Sequence, residues 1–359
     1  LKEAEAAKKR GYNVIILGWD RENNNTSKDL KLNSGLINLN LFHLKSGYGN
    51  GIRSFPKLFL FQIWIFFQLL FLCRKYTIIH SCDLDTAIPC LFVAKLFHKK
   101  IVYDIFDYYI HSHNIPTKIK FLVENIEVFV INCADAIIIC SESRYKQIEK
   151  SKPKKVEVIH NTPEIVTFTD KNTINRICKS TSKRLKVVYV GILQDKRLLK
   201  EIIEILPEFE NIELHIGGFG VLQDLLENIN YKNLYYYGIL NYNQVLQLES
   251  ECDVIFATYD PKVENHKFSA PNKLYEAMAL KKPIIVCKNT GIDEVVYKYD
   301  MGLVIEYNAI EFFNALKLLD NRTTRNRLGN NGRNAYDIKF NWRIMENRLI
   351  KLYWEILEV

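Results

Sequence analysis

Short apolar segments alternate with amphipathic helical segments through both halves of this 359-residue chain. In the first half, predicted strands at 77–80, 100–103, 136–140 and 156–159 are joined by helical segments. In the second half, predicted strands begin near residues 185, 212, 234, 254 and 284, with a helix between successive strands. Parallel strands connected by helices form sheets that are covered on both faces. The chain is therefore predicted to be an α/β protein with two Rossmann-like, doubly wound domains.

The limits of the two domains follow from where this alternation lapses. Residues 1–163 are predicted to form the first domain and residues 184–339 the second, with a Thr-, Lys-, Asn- and Ser-rich linker at 164–183 and a terminal helix at 340–359. A helical run from Leu1 to Arg10 comes before any strand. From this start we expect that one strand and its loop precede Leu1 in the full protein.

Charge and cysteine usage narrow the function classes. The net charge of +8 is spread along the chain, and no basic run with interleaved aromatic residues indicates a nucleic-acid partner. The eight cysteines are scattered, with no C-x-x-C pair and no histidine at metal-ligand spacing. They are typical of reduced cysteines in a cytoplasmic protein, and no metal site is expected.

The most apolar stretch of the chain is residues 55–73. Lys57 and Arg74 bracket sixteen residues that contain two glutamines, whereas a helix needs roughly 20 apolar residues to span a bilayer. One interpretation is a helix of the protein core. The other is a peripheral membrane contact through residues 57–74, in which Phe and Trp side chains enter the interface and the flanking cations anchor it. A helix with two apolar faces satisfies both.

Residues that follow the predicted strands are the first candidates for a binding site, because ligands of doubly wound sheets lie outside the carboxyl ends of strands. Gly191 follows the strand near 185, and Lys196 and Arg197 then open a helix, where cations oppose the helix dipole unless an anion binds there. The alternative is a pair of solvated cations. After the strand near 212, the turn at Gly217, Gly218 and Phe219 would let backbone N–H groups approach an anion.

A second candidate lies at residues 269–285, where Ser269 is expected to cap a helix that runs to about Leu280. Asn272, Lys273 and Glu276 fall on one face of this helix. A carboxylate accepts well from two adjacent hydroxyl groups, such as those of a ribose. The alternative is an i, i+3 ion pair between Lys273 and Glu276 on a solvated surface.

Taken in order, these segments resemble the family-four glycosyltransferases of the GT-B fold. The second half contributes VGILQDKRLLKEII, LHIGGFG, YYYGIL, CDVIFATYDP and SAPNKLYEAMALKKPII; the first contributes HSCDLDT, IVYDIFDYY, CADAIIICSES and VEVIHN. The resemblance implies transfer of a sugar from a nucleotide-sugar donor, with retention of configuration and without a metal ion, in a central cleft that the two domains face. It also implies that the terminal helix returns to the first domain.

The resemblance assigns roles to matching residues of the second half. Lys196 and Arg197 match the cations that bind the donor diphosphate and assist its departure, and Glu276 matches the carboxylate that holds the ribose. Asn272 and Lys273 match residues that face the donor. The turns at Gly191 and at Gly217–Phe219 are donor-binding candidates because they follow predicted strands. Phe268 stands where the family often carries a glutamate, eight positions before Glu276.

In the first half, Phe106 stands where the family often has a histidine that holds the sugar. Asp107, His111 and His113 are the candidates to replace it, and Asp107 is the preferred catalytic candidate. A strand-end cap or an ion pair explains a carboxylate there equally well. His80, Asp83 and Asp85 are candidates for the acceptor site, although His80 could simply be a satisfied histidine at a strand end.

The sequence thus predicts a retaining glycosyltransferase of the hexosyltransferase type, with a nucleotide-sugar co-substrate and no cofactor. The acceptor is expected to be a cell-surface glycan or lipid-linked precursor of polysaccharide biosynthesis, and the location cytoplasmic, at the inner face of the cell membrane. Two alternatives share the fold: a sugar-nucleotide 2-epimerase and a non-catalytic subunit that binds nucleotide sugars.

Overall fold

The computed structural model describes residues 1–24, 27–47, 55–113, 115–164 and 176–358, so most of the predicted linker lies outside the described residues. Two compact units are present: Leu1–His160 together with Arg343–Val359, and Asn161–Trp342. The assignment of an acceptor to the first and a donor to the second stays a prediction.

The first unit contains strands and helices in an alternating order. In chain order these are α1 (Lys2–Lys9), β1 (Ile15–Asp20), β2 (Asp29–Leu32), β3 (Gly35–His43), α2 (Phe55–Phe71), β4 (Ile78–Cys82), α3 (Leu84–Leu96), β5 (Lys100–Ile105), α4 (Tyr109–Ser112), α5 (Thr117–Cys133), β6 (Ala136–Ile139) and β7 (Val156–Val158). Strands β4–β5–β6–β7 form a parallel sheet, and β1–β3–β2 form a second sheet in which β2 is antiparallel. The last helix, α13 (Trp342–Leu357), contacts β7 through a hydrogen bond of 3.0 Å from the Arg348 guanidinium to the carbonyl of Val158.

The second unit is built on a six-stranded parallel sheet. Its elements are β8 (Leu185–Ile192), α6 (Leu199–Ile205), β9 (Ile212–Phe219), α7 (Gln223–Asn228), β10 (Leu234–Tyr236), α8 (Tyr242–Glu251), β11 (Val254–Ala257), α9 (Asn272–Ala279), β12 (Ile284–Cys287), α10 (Ile292–Tyr299), β13 (Gly302–Ile305), α11 (Ala309–Leu319) and α12 (Arg322–Ala335).

The strand order is β10–β9–β8–β11–β12–β13, which is the Rossmann order with its topological switch point between β8 and β11. One face of the sheet packs against α6, α7 and α11, and the other against α8, α9, α10 and α12. The strands are buried on both faces, which explains why they read as continuous apolar runs. The predicted α/β class with doubly wound sheets is confirmed.

The structure adds elements that the sequence interpretation lacked. Strands β2 and β3 were not predicted, and they are joined by a tight turn in which Leu32 pairs with Gly35. The alternation of Leu36–Phe42 is the strand signal that was missed, because the many asparagines of this tract suggested a loop. Helix α10 was also absent from the prediction.

Helix α2 has two apolar faces. Phe61, Ile65 and Leu69 are buried against the first unit, whereas Phe59 and Phe67 are more than half exposed. The core-helix interpretation is thus correct for the face that carries Phe61, Ile65 and Leu69, whereas the face that carries Phe59 and Phe67 is exposed. Among the helices that the structure describes, none combines the length and the apolar character that crossing a bilayer requires.

Candidate active site

Two hydrogen bonds connect the loops that follow β8 and β11 at the switch point. The Thr258 hydroxyl donates a hydrogen bond of 2.5 Å to the carbonyl of Arg197, and the Asp260 N–H donates to the carbonyl of Lys196 at 3.1 Å. Ligands of doubly wound sheets bind at this position, outside the carboxyl ends of the two diverging strands. The predicted cationic pair therefore lies where the topology places a ligand.

Arg197 has a fixed, half-buried guanidinium group. It lies over the ring of Tyr259, 4.1 Å from the centroid. When the Gln194 amide is oriented with its oxygen toward the guanidinium, Arg197 donates to that oxygen at 2.8 Å. Its Nη1 is buried and has no hydrogen-bond partner within the described part of the chain. A buried cationic donor without an acceptor is costly, and an anion at this position would remove that cost.

Lys196 is placed differently from its neighbour. Its side chain is 62% exposed, with Nζ 3.4 Å from the buried carboxylate of Asp260. The two cations that the sequence treats as a pair are thus one ordered and one largely solvated group. Arg197 is the stronger candidate for a defined contact with a ligand.

Gly217 and Gly218 are glycines for a steric reason that the sequence analysis did not identify. Gly218 has φ +127°, and a Cβ atom there would lie 1.8 Å from the carbonyl oxygen of Gly191. Its N–H donates to the carbonyl of Gly238 at 2.7 Å. The expectation that the Gly218 N–H approaches an anion is therefore wrong: the residue allows β8 and β9 to meet. Neighbouring Gly217 leaves no room either, because a Cβ would lie 3.0 Å from Leu240, while the Phe219 side chain is half exposed.

Helix α9 begins at Asn272, with Pro271 as its N-cap and no side-chain cap. The expected cap at Ser269 is wrong, because Ala270 and Pro271 lie between that residue and the first helical residue, and Pro271 occupies the N-cap position. Asn272 is exposed. An N-terminus without a side-chain cap leaves backbone N–H groups available to an anionic ligand.

Lys273 and Glu276, one turn apart on α9, are both buried, at 9% and 3% exposure. The alternative of a solvated surface ion pair is therefore excluded. The Lys273 ammonium lies 4.3 Å from the centroid of the Tyr189 ring. It also lies 2.7 Å from the point that a Cβ of Gly191 would occupy, so α9 reaches the end of β8 through this side chain.

Tyr259 lies among the charged groups of the candidate site. Burial raises the pKa of Tyr259, whereas the nearby Lys273 and Arg197 cations oppose that rise and Glu276 adds to it. Burial also raises the pKa of Tyr242, to which Glu276 is hydrogen-bonded. The structure thus brings Arg197, Lys273 and Glu276 together around one tyrosine.

Two further residues of this site were not predicted. Glu249 of α8 is fully buried, and its burial, reinforced by the neighbouring Glu276, raises its pKa well above the usual value. The Nδ1–H group of His266 donates to the carbonyl of Asp260 at 3.0 Å, and the ring of His266 lies 5.2 Å from that of Tyr259. Neither residue occupies a strand end or a helix face that sequence spacing connects with Glu276 or Arg197.

In the first unit, Asp107 and Asp83 belong to one loop arrangement. Asp107 accepts a hydrogen bond of 2.9 Å from the buried guanidinium of Arg144 and remains 48% exposed. The Asp83 carboxylate accepts from the N–H groups of Phe106 and Asp107 at 2.9 and 3.3 Å, and burial raises its pKa to about 6. Asp83 therefore fixes the loop that carries Asp107, and Arg144 orients the Asp107 carboxylate.

The remaining candidates of the first unit are His80, Asp85 and Phe106. Both ring nitrogens of His80 are engaged: Nδ1 with the Tyr353 hydroxyl at 2.6 Å, and Nε2 with Asp104 and Glu3, each at 3.3 Å. These contacts favour the interpretation of His80 as a satisfied histidine. Asp85, in the first turn of α3, is partly buried, and the Phe106 ring is half exposed.

Two family models match the chain, one for each unit. The model described as Glycosyltransferase Family 4 matches residues 2–162, and the model described as Glycosyl transferases group 1 matches residues 170–335. The donor candidates Arg197, Lys273 and Glu276 fall within the second match, and Asp107 within the first.

Two relatives are similar in sequence. An uncharacterized glycosyltransferase of Methanocaldococcus jannaschii is 24% identical over 57% of this chain, and the capsular polysaccharide biosynthesis glycosyltransferase CapM of Staphylococcus aureus is 24% identical over 66%. The alignments span 53% and 64% of the lengths of these relatives, less than two thirds of each.

Solved structures show the same fold. Sucrose-phosphate synthase of Thermosynechococcus elongatus superimposes with a TM-score of 0.77 at 16% identity, covering 99% of this chain and 92% of that one. Anabaena HepE in complex with UDP-glucose gives a TM-score of 0.63 at 15% identity, over 90% of this chain and 85% of that one. With both family models and this fold, the chain belongs to the group 1, family 4 glycosyltransferases of the GT-B fold.

Proposed function

We propose that the protein transfers a sugar from a nucleotide-sugar donor bound at the switch point between β8 and β11. The observation that carries this proposal is the Arg197 guanidinium, which is stacked on Tyr259 and keeps a buried N–H without a partner in the described chain. A diphosphate supplies the acceptor that this donor lacks. The family match and the UDP-glucose named for the HepE structure support the same donor class.

Each part of the donor has a proposed contact. The diphosphate lies against Arg197, with Lys196 at its exposed side and the uncapped start of α9 at Asn272 beside it. The buried carboxylate of Glu276 accepts from the two ribose hydroxyls. Lys273 adds a positive charge between these two contacts, next to Gly191.

The chemistry follows from this charge distribution. When the bond between the anomeric carbon and the diphosphate oxygen breaks, negative charge grows on the leaving oxygen, and the fixed cations stabilise that state more than the ground state. With retention of configuration, the departing phosphate oxygen takes the proton of the acceptor hydroxyl as the new glycosidic bond forms. The proposed transfer uses no metal ion, so adding Mg²⁺ should leave its rate unchanged.

The proposed acceptor is a cell-surface glycan precursor that carries a lipid. Asp107 is the proposed contact to its reacting hydroxyl, because it is half exposed and oriented by Arg144, with Asp83 supporting the loop and Asp85 nearby in sequence. The relative CapM is named for capsular polysaccharide biosynthesis. The exposed Phe59 and Phe67 of α2 are proposed to rest on the inner face of the cell membrane, where such a lipid would be embedded.

An assay with and without acceptor tests the proposed reaction. The purified protein is incubated with a panel of nucleotide sugars, alone and with a membrane extract that supplies glycan precursors, and nucleoside diphosphate release is measured. We expect release that depends on the extract. Conversion of the donor sugar without any acceptor would instead identify an epimerase, and donor binding without transfer would identify a non-catalytic subunit.

A further inference from the structure

A buried cluster of three metal-binding side chains lies in the second unit. Cys178, His215 and Cys252 are 5%, 0% and 1% exposed, and their Sγ and ring nitrogen atoms all lie within 4.8 Å of one another. Each of these residues is 37 positions from the next along the chain, so sequence spacing does not indicate the cluster. Cys178 lies before β8, His215 lies in β9 and Cys252 follows α8. They pack in the core that covers the α8 face of the sheet.

The imidazole of His215 is held in the orientation that a metal ligand needs. Nδ1 faces the Cys178 sulfur at 3.9 Å, and the ring stacks on Tyr235 at 4.9 Å between centroids. On the opposite side, Nε2 lies 3.7 Å from Glu213 Oε2. His215 Nε2 and Glu213 Oε2 are both buried, and neither has a hydrogen-bond partner in the described part of the chain.

This arrangement matches the second shell of a metal-bound histidine. Histidine ligands generally donate their other N–H to a carboxylate, which fixes the ring and leaves a lone pair for the metal. If Nδ1 binds a metal, the proton resides on Nε2 and faces Glu213, so the two orphaned atoms acquire partners. The Tyr237 oxygen, 2.8 Å from Nδ1, or a water molecule then occupies the fourth position.

We propose that Cys178, His215 and Cys252 form a structural Zn²⁺ site. Ligands of a tetrahedral zinc ion lie roughly 3.5 Å apart, so ligand atoms that lie within 4.8 Å of one another need to contract by about 1.3 Å at most. Two sulfurs with one imidazole suit zinc and exclude Mg²⁺ and Ca²⁺, which prefer oxygen. The site is distinct from the donor contacts and consistent with a metal-independent transfer.

The ion would anchor the chain where it enters β8. Residues 176–180 precede this strand, and the Cys178 N–H already donates to the Glu251 carboxylate at the end of α8, at 2.6 Å. A metal shared by Cys178, His215 and Cys252 ties this segment to both β9 and α8. The metal would therefore raise the stability of the second unit rather than take part in the reaction.

Metal analysis tests the site directly. The protein is purified under reducing conditions without a metal column, and we expect about one Zn²⁺ per chain. The double variant C178S/C252S should hold less than about a tenth of this amount. The control C287S changes a buried cysteine of another core cluster and should keep the metal.

Substitution with Co²⁺ keeps the test independent of variant folding. In the wild-type protein, Co²⁺ should give thiolate-to-metal charge transfer and the strong visible bands of a tetrahedral site. Absence of both stoichiometric Zn²⁺ and this charge transfer would overturn the proposal. So would zinc retention by the double variant, or a Cys178–Cys252 disulfide in the protein purified under reducing conditions.

Discussion

Arg197 and Lys196 are adjacent and equally charged, yet their environments differ. The sequence places both at the same strand end, and nothing in spacing separates them. Packing distinguishes the two cations, because Arg197 stacks on Tyr259 while Lys196 extends toward solvent. A sequence therefore indicates where charge is concentrated, whereas burial decides which charge is held in place.

Glu276 should distinguish ribose from deoxyribose. Its buried carboxylate can accept from both hydroxyls, whereas the amide of Glu276→Gln offers one oxygen acceptor. For the nucleoside diphosphate that binds the wild type, we expect the ribo form to bind at least about tenfold more tightly than the 2′-deoxy form. In Glu276→Gln this preference should largely disappear in calorimetric titrations.

The matched control is Glu204→Gln, on the exposed side of α6, which should keep the wild-type preference. An equal preference for ribose in the wild type and in Glu276→Gln would remove the ribose assignment.

Glu127 of α5 should make stability depend on pH. It is fully buried and accepts from the Tyr103 hydroxyl at 3.1 Å and the Tyr109 N–H at 3.1 Å; burial raises its pKa to about 8, although these hydrogen bonds oppose the rise. The folded state therefore holds the proton of the Glu127 carboxyl group more tightly than the unfolded state does. The contribution of this group to the free energy of unfolding is fully present below the usual pKa of glutamate and is lost as the pH rises toward 8.

We therefore expect the unfolding free energy of the wild type to fall relative to Glu127→Gln between pH 5 and 8, by up to about 1.4 kcal/mol per pH unit. Urea unfolding at several pH values measures this difference. Parallel pH profiles for the two proteins would show that Glu127 is ionised in the folded state throughout this range.

At the scale of elements, long periodic segments were predicted well. The terminal helix was predicted at 340–359 and is observed as α13 at Trp342–Leu357, because its apolar periodicity identifies it. The N-cap of α9 was predicted two residues early, since Ser269 has the right side chain for a cap whereas the observed cap is Pro271. Strands β2 and β3 were missed because asparagine and charged residues alternate with their apolar residues and suggested a loop.

The junction of β8 and β9 should not tolerate a side chain at Gly218. In Gly218→Ala, the new Cβ would lie 1.8 Å from the Gly191 carbonyl oxygen, and the φ of +127° is strained for alanine. We expect a loss of at least about 2 kcal/mol of unfolding free energy, measured by urea unfolding.

The control Gly238→Ala also has a positive φ, +65°, but its Cβ would meet nothing within 4 Å. It should cost only about 1 kcal/mol. Similar costs for both substitutions would mean that close backbone contact at Gly218 is not what requires glycine.

At the scale of the whole molecule, the α/β class and the family followed from the sequence. The switch-point location of Arg197 was also predictable, because strand order in doubly wound sheets fixes which loops meet. What could not be predicted is the contact of residues distant in sequence, such as Glu249 with Glu276 or Cys178 with His215. Their proximity depends on how helices pack on the sheet, and no periodicity records it.

The net charge of +8 and the exposed face of α2 together predict binding to anionic vesicles. The wild type should float with such vesicles at low salt and less so at high salt, because screening weakens the electrostatic part. Phe59→Ser/Phe67→Ser should reduce the bound fraction at least about tenfold, as two apolar anchors are lost.

Ile239→Ser, at an exposed apolar residue of the second unit, should bind like the wild type. Flotation of the α2 double variant at the wild-type level would show that this face does not meet the membrane.

The central claim is that Arg197 binds the donor diphosphate, and calorimetric titration of nucleoside diphosphates into the wild type, Arg197→Ala and the exposed control Lys232→Ala tests it most directly. We expect the wild type and Lys232→Ala to bind at least one nucleoside diphosphate equally, and Arg197→Ala to bind it about tenfold more weakly or worse. Equal affinity in all three proteins would contradict the account.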